Sequence, residues 1–182
     1  MSLADAIQSL KDETMKMGID AKAGLGTELF HYASTLMPIV NVDLIILNEN
    51  KQVLLSWRDD PYTGVGWHIP GSCVRYKERL EGAVQRCAIN EIGIQVICEE
   101  QPCALFQLIC NRQREIVDQN ERAHFITLSF RCHVPEEYQI NNDKKRETDP
   151  GYLKWFDELP EDLLPEHECY RDKWDEIVNW RK

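Results

Sequence analysis

The chain has 182 residues and a mass of 21.3 kDa, with 21 Lys and Arg against 31 Asp and Glu, a formal net charge of −10. The length suits one domain with a short extension, and a composition of 43% hydrophobic and 29% charged residues is that of a globular protein. The acidic balance argues against nucleic acid or an anionic membrane surface as the main partner, but not against a small phosphorylated molecule, because a bound cation can reverse the local sign of a site.

Leu3, Ile7 and Leu10 recur at helical spacing among Asp, Lys and Glu, which predicts a helix over residues 2–19. Gly24 and Gly26 break the chain after it. This first part, residues 1–30, reads as a helical extension to a domain spanning 31–182. Residues 39–47 are β-branched and apolar and predict a strand. Asn48, Glu49 and Asn50 form a turn, and Gln52–Trp57 a second strand. Arg58 to Gly66 reads as a polar loop, Trp67–Ile69 as a short apolar piece, and Pro70-Gly71 as a turn. A helix follows over Leu80–Ile92, with Ala83, Val84, Cys87 and Ala88 on its apolar stripe and Gly93 as its stop. Residues 94–98, 103–110, His124–Val134 and Leu153–Phe156 are strand-like, separated by polar loops at 111–122 and 136–150. Helical segments are expected near 157–164 and 168–180. The pattern is α+β, three layers around a mixed sheet.

Seven cysteines, an odd number, contain no Cys-x-x-Cys pair, which fits reduced thiols in a cytosol better than a disulfide framework or a zinc site. No apolar run approaches the ~18 residues of a membrane span. Residues 1–20 mix Asp, Lys and Glu throughout and show no signal peptide. A cytoplasmic protein is the expectation.

The chemistry concentrates in Gly66–Ile94. Cys87, Asn90 and Glu91 stand three and four residues apart and share a helix face. Glu78 lies near the helix start, where the dipole favours an anion. Glu91 lies near its end, where a carboxylate calls for an arginine or a metal ion. A glutamate on an exposed helix face is ordinarily just solvated, and only the spacing gives these residues weight.

That spacing resembles the Nudix box, the signature of hydrolases acting on nucleoside diphosphates linked to another group. Counted from Ser72, Glu78 falls on the first Glu, Arg86 on the Arg, Glu91 on the last Glu and Gly93 on the Gly. Ile94 falls on the closing aliphatic position, and Trp67-His68-Ile69-Pro70-Gly71 is similar to the lead-in. The resemblance implies an α/β/α sandwich, Mg²⁺ or Mn²⁺ as cofactor, and a homodimer. The chain departs from the box at Ser72, Cys87 and Asn90, which replace a Gly and two Glu. The helix therefore supplies one strong ligand for a hard cation, Glu91, and a backbone carbonyl at Gly71 or Ser72 is the expected companion. A box thinned in this way resembles the GDP-mannose mannosyl hydrolases. By that resemblance Asp43 and Arg58 contact the substrate and Arg58 approaches the diphosphate, although a surface Arg paired with Asp59 or Asp60 is the plainer reading. His124 opens a strand similar to theirs and is a candidate base, or simply a satisfied histidine at a sheet end. Arg86 either adds positive charge at the substrate or anchors the helix carboxylates. Their Gln-His before the late Trp has no counterpart here, so Glu147 in that loop is the expected base and metal ligand, with Asp149 behind it. Two functions remain open: hydrolysis of a nucleotide sugar such as a GDP-mannose-like molecule, and a nucleotide sensor whose catalysis has decayed.

Overall fold

The computed structural model describes residues 1–110 and 118–179. Among these residues eight strands form one mixed sheet: β1 (Ile39–Leu47), β2 (Val53–Asp60), β3 (Gly64–His68), β4 (Gly71–Cys73), β5 (Ile97–Cys98), β6 (Ala104–Ile109), β7 (His124–His133) and β8 (Leu153–Phe156). The continuous path runs β3-β2-β1-β7-β5, with β4 on β1, β6 on β7 and β8 on β2. β1 and β7 are parallel, from Ile39 opposite Phe125 to Leu47 opposite His133, and the other pairings are antiparallel.

Strand alternation divides the core. From β1, Val42, Leu44 and Ile46 face α3 (Leu80–Ile92), joining Val84, Cys87 and Ala88. Ile45 and Leu47 face the other way, with Leu55, Trp67, Tyr170 and Ile177. That second layer is a 3₁₀ segment, Pro165–Lys173, and a short α4, Trp174–Asn179. The α+β class and the three layers follow. Helix α3 has the predicted bounds, and Gly93 ends it in the left-handed region at φ 81°, which a side chain would oppose.

Elsewhere the elements differ from expectation. The N-terminal helix α1 (Leu3–Lys16) opens with a capping box between Ser2 and Asp5, and none of its residues is buried. An additional helix, α2 (Thr27–Ser34), was not predicted, because eight residues with Leu29, Phe30 and Ala33 carry little periodic signal. The polar stretch 58–66 is mostly strand: β2 runs on to Asp60 and β3 begins at Gly64, with only the turn between them irregular. Residues 94–96 lie outside β5. No helix forms at 157–164. Instead Trp67 N–H donates to the Asp162 carbonyl at 3.0 Å and Leu164 N–H to the Trp67 carbonyl at 2.8 Å, so this segment extends along β3. The expected loop 111–122 falls partly outside the described residues. No helix among the described residues is long and apolar enough to cross a membrane.

Candidate active site

A polar cleft of about 250 Å³ opens where β1, β3 and β4 meet the C-terminal 3₁₀ segment. Asp43 forms its floor. Alternation points this residue away from α3 into the second layer, where it is 1% exposed. Tyr170 donates its hydroxyl to Asp43 Oδ2 at 2.7 Å, and Asn41 Nδ2 donates to Oδ1 at 2.7 Å. Tyr170 in turn meets Ser129 Oγ at 2.6 Å. Burial raises the Asp43 carboxyl to about 7, against the pull of Tyr170, Arg58 and Asn41. Gly71 faces Asp43 across the β1–β4 register, and a Cβ there would collide with Asp43 Oδ1.

His167 lies on the same wall. It accepts the Ile69 N–H on Nδ1 at 2.9 Å, which leaves the ring proton on Nε2, 3.9 Å from Asp43 Oδ2. Burial, with His68 and Arg58 nearby, keeps this imidazole neutral well below its usual pKa.

A second cluster adjoins the first. Arg58 Nη2 lies 3.1 Å from His68 Nε2, and that nitrogen is 3.6 Å from Glu91 Oε2. Burial favours neutral His68 despite Glu91. Burial also opposes ionisation of Glu91, but His68, Arg58 and Lys145 outweigh it and hold the carboxyl below its ordinary value. Arg58 Nε stands 3.7 Å from Asp60, which also accepts from Thr63 Oγ1 at 2.7 Å and from the Tyr62 and Thr63 N–H groups. The cleft therefore presents one arginine fork held loosely, and Arg122 also lines it.

Arg86 has a different environment. Its guanidinium grips Glu78 through Nε–Oε1 at 2.8 Å and Nη2–Oε2 at 2.9 Å, and donates to Ser72 Oγ and the Cys73 carbonyl, both at 2.8 Å. Glu78 Oε2 also accepts the Arg75 N–H at 2.8 Å. The hydrogen bonds from Arg86 lower the Glu78 carboxyl. This lock ties β4 to α3, so Arg86 serves as the anchor that the sequence allowed, with its donors engaged by the protein. Ser72 takes part through its hydroxyl, an interaction that glycine could not make.

Three expected residues are not brought to the cleft. Glu147 is half exposed and closes on Lys154 at 2.6 Å, beside β8. Asp149 closes on Arg146 at 2.9 Å. His124 meets Gln107 Nε2 at 3.0 Å, and its neighbour Phe125 is the residue that lines the cleft, because adjacent strand positions face opposite ways. Conversely, sequence reasoning missed His68, Asn41 and Asn41's contact with Asp43, and it did not assign His167 and Tyr170 to the site. In the sequence His68 stands only as part of the lead-in to the box, and the β2–β3 register, Ser56 opposite His68, sets it beside Arg58 once stretch 58–66 is known to be strand.

The donors bear on a divalent metal as follows. Cys87 is fully buried in the α3 core and burial pushes its thiol up, so it is no ligand for a hard cation. Asn90 is exposed. Among the described residues no three His, Cys, Asp or Glu side chains are grouped to hold a metal. A multi-metal cluster does not fit. Glu91, whose carboxyl is held below its ordinary value, is the one box carboxylate near the cleft that could serve a single hard cation, and the Gly71 carbonyl is an oxygen that could join it.

The NUDIX domain family model matches residues 37–173. The low-salt glycan biosynthesis protein Agl8 of Haloferax volcanii is 29% identical over 140 residues, covering 76% of this chain and 83% of its own. Among solved structures, a possible asymmetric diadenosine tetraphosphate hydrolase of Jonesia denitrificans superposes with a TM-score of 0.55 at 18% identity, covering 79% of this chain and 96% of that one. The latter likeness is one of fold.

Proposed function

The chain belongs to the Nudix domain family, and from that premise we propose that it is a hydrolase of a nucleoside diphosphate linked to a sugar, assisted by Mg²⁺ or Mn²⁺. The observation that carries this reading is the placement of a buried carboxyl, Asp43, on the floor of a cleft lined by Arg58 and Arg122, where burial raises it to about 7. A general base works best with a pKa near the working pH. Asp43 replaces Glu147 and His124 in that role. It takes the proton of the attacking water, while neutral His167 presents Nε2–H beside it and Tyr170 and Asn41 fix its orientation. Arg58, always charged and planar, pairs with diphosphate oxygens. Glu91 and the Gly71 carbonyl would hold the metal ion. A bound ion there would supply positive charge against the negative charge that grows on the leaving phosphate. Attack at the sugar carbon yields a nucleoside diphosphate and a free sugar, and attack at phosphorus yields a nucleoside monophosphate and a sugar phosphate. The glycan biosynthesis role named for the Haloferax volcanii relative supports a sugar as the linked group.

A panel of nucleotide sugars, ADP-ribose and dinucleoside polyphosphates, assayed with Mg²⁺ or Mn²⁺, tests the reading. Turnover of a nucleotide sugar that falls by at least about a hundredfold in Glu91→Gln supports it. In ¹⁸O-water, label in the sugar product marks carbon attack and label in phosphate marks phosphorus attack. The burial of Cys87 in the core favours a second reading, a domain that binds nucleotide without turning it over. Tight binding with no turnover of any substrate is its signature.

A further inference from the structure

A second, larger cavity of about 450 Å³ adjoins the polar cleft, and Ser72 and Cys73 line both. Its size lies within the ~300–1,000 Å³ of small-molecule sites. Its outer wall comes from the N-terminal segment: Leu25 before α2, Phe30 and Ala33 on α2, and Met37 after it. Most of that wall precedes residue 37, where the family match begins. Tyr76, 60% exposed, and Arg75 close the opposite side. The Arg75 side chain lies against Gly24, and among the described residues its guanidinium has no hydrogen-bonding or ion-pairing partner, although its backbone N–H serves Glu78. The two cavities thus differ in chemistry. The first is polar and carries Asp43, Arg58 and His68. The second has apolar and aromatic walls, with the Arg75 guanidinium at its edge.

We propose that this second cavity holds the nucleobase of the substrate, so that the N-terminal segment sets base specificity. The inference rests on the reading above that a diphosphate occupies the cleft. With the diphosphate there, one end of the substrate must continue past Ser72 and Cys73, and the other must leave on the far side, near Thr63 and Glu166. A sugar carries hydroxyls on most of its surface and calls for polar partners, which Leu25, Phe30 and Met37 do not offer. A nucleobase has two apolar faces, suited to Phe30 and Tyr76, and an edge with hydrogen-bond acceptors, suited to Arg75. Helix α2 contributes twice. Besides Phe30 and Ala33 it carries Ser34, whose hydroxyl accepts the Arg122 N–H at 2.9 Å and so steadies an arginine that lines the cleft.

Calorimetric titration of the full chain with inorganic pyrophosphate and with each of the common nucleoside diphosphates, in the presence of Mg²⁺, separates the two sites. One nucleoside diphosphate should bind at least about tenfold more tightly than pyrophosphate. Ala33→Trp, which fills the cavity, should remove that advantage while changing pyrophosphate affinity by less than about twofold. Tyr76→Ala, a change at an exposed side chain that does not threaten folding, should reduce the advantage severalfold and decides the matter if Ala33→Trp does not melt cooperatively. Equal affinity for pyrophosphate and all nucleoside diphosphates, or an advantage that survives both variants, overturns the base site and leaves the diphosphate cleft standing. Failure of pyrophosphate and every nucleoside diphosphate to bind overturns both.

Discussion

At the residue scale, Asp43 links stability to chemistry. Its folded pKa is raised from 3.8 to about 7, so between those values the folded state holds a proton that the unfolded chain releases. Stability therefore falls as pH rises from about 4 to about 7 and is level above. At 1.36 kcal/mol per unit the limiting cost is on the order of 4 kcal/mol. Asp43→Asn removes the titration and keeps the shape, because its amide can donate to Tyr170 while Tyr170 donates to Ser129. Urea unfolding at pH 8 should show the variant to be more stable than the parent, with the advantage shrinking towards pH 4. The kcat/KM of the parent should rise with pH through about 7, and the same substitution should abolish that rise. A parent profile flat from pH 5 to 8 would exclude Asp43 as the base.

At the element scale, the junction between β4 and α3 depends on one guanidinium. Arg86 makes four hydrogen bonds, to Glu78, Ser72 and Cys73. Its loss leaves a largely buried Glu78 carboxylate with, among the described residues, the N–H and the charge of Arg75. Arg86→Ala should cost about 2–3 kcal/mol by chemical denaturation, and Arg86→Lys, which cannot fork, should recover only part of it. Much of this element was legible beforehand. The apolar stripe of α3, Gly93 and the Glu78–Arg86–Glu91 spacing all lie within one contiguous stretch, where local periodicity and a motif suffice. The cleft was only partly legible, because its residues come from β1, β3 and the C-terminal segment and meet through strand register. Glu147 illustrates the difference. It lies in the loop where a base was expected, yet Lys154, seven positions on, captures it at 2.6 Å. Sequence spacing does not reveal which of two charged neighbours a carboxylate will choose. His68 was hidden for a related reason: the polar residues Arg58–Asp60 look like loop, but they extend β2, and Asp60 holds the Tyr62–Thr63 turn.

At the scale of the whole molecule, the net charge of −10 opposes the approach of an anionic substrate, while Arg58 and Arg122 attract it only within the cleft. Screening weakens the first effect more than the second, since the long-range field is lost over about 8 Å at 0.15 M salt. At saturating Mg²⁺, kcat/KM should therefore increase modestly as ionic strength rises from about 10 to 150 mM, a range over which the Debye length shortens from about 30 to 8 Å. A steep decline would instead indicate that local positive charge dominates the encounter.

The parallel pairing of β1 with β7 has a consequence for synthesis of the chain. β1 leaves the ribosome early, but its parallel neighbour, from Phe125 to His133, emerges only after most of the domain has been made. Until then the apolar run Ile39–Leu47 lacks that neighbour along its whole length, and Asp43 lacks Ser129 and Tyr170. Non-local pairing of this kind closes a long loop before it is rewarded. Until β7 is made, β1 can pair only on the edge that takes β2 and β4, and a polypeptide stalled before residue 133 should leave its other edge open to pairing with another chain.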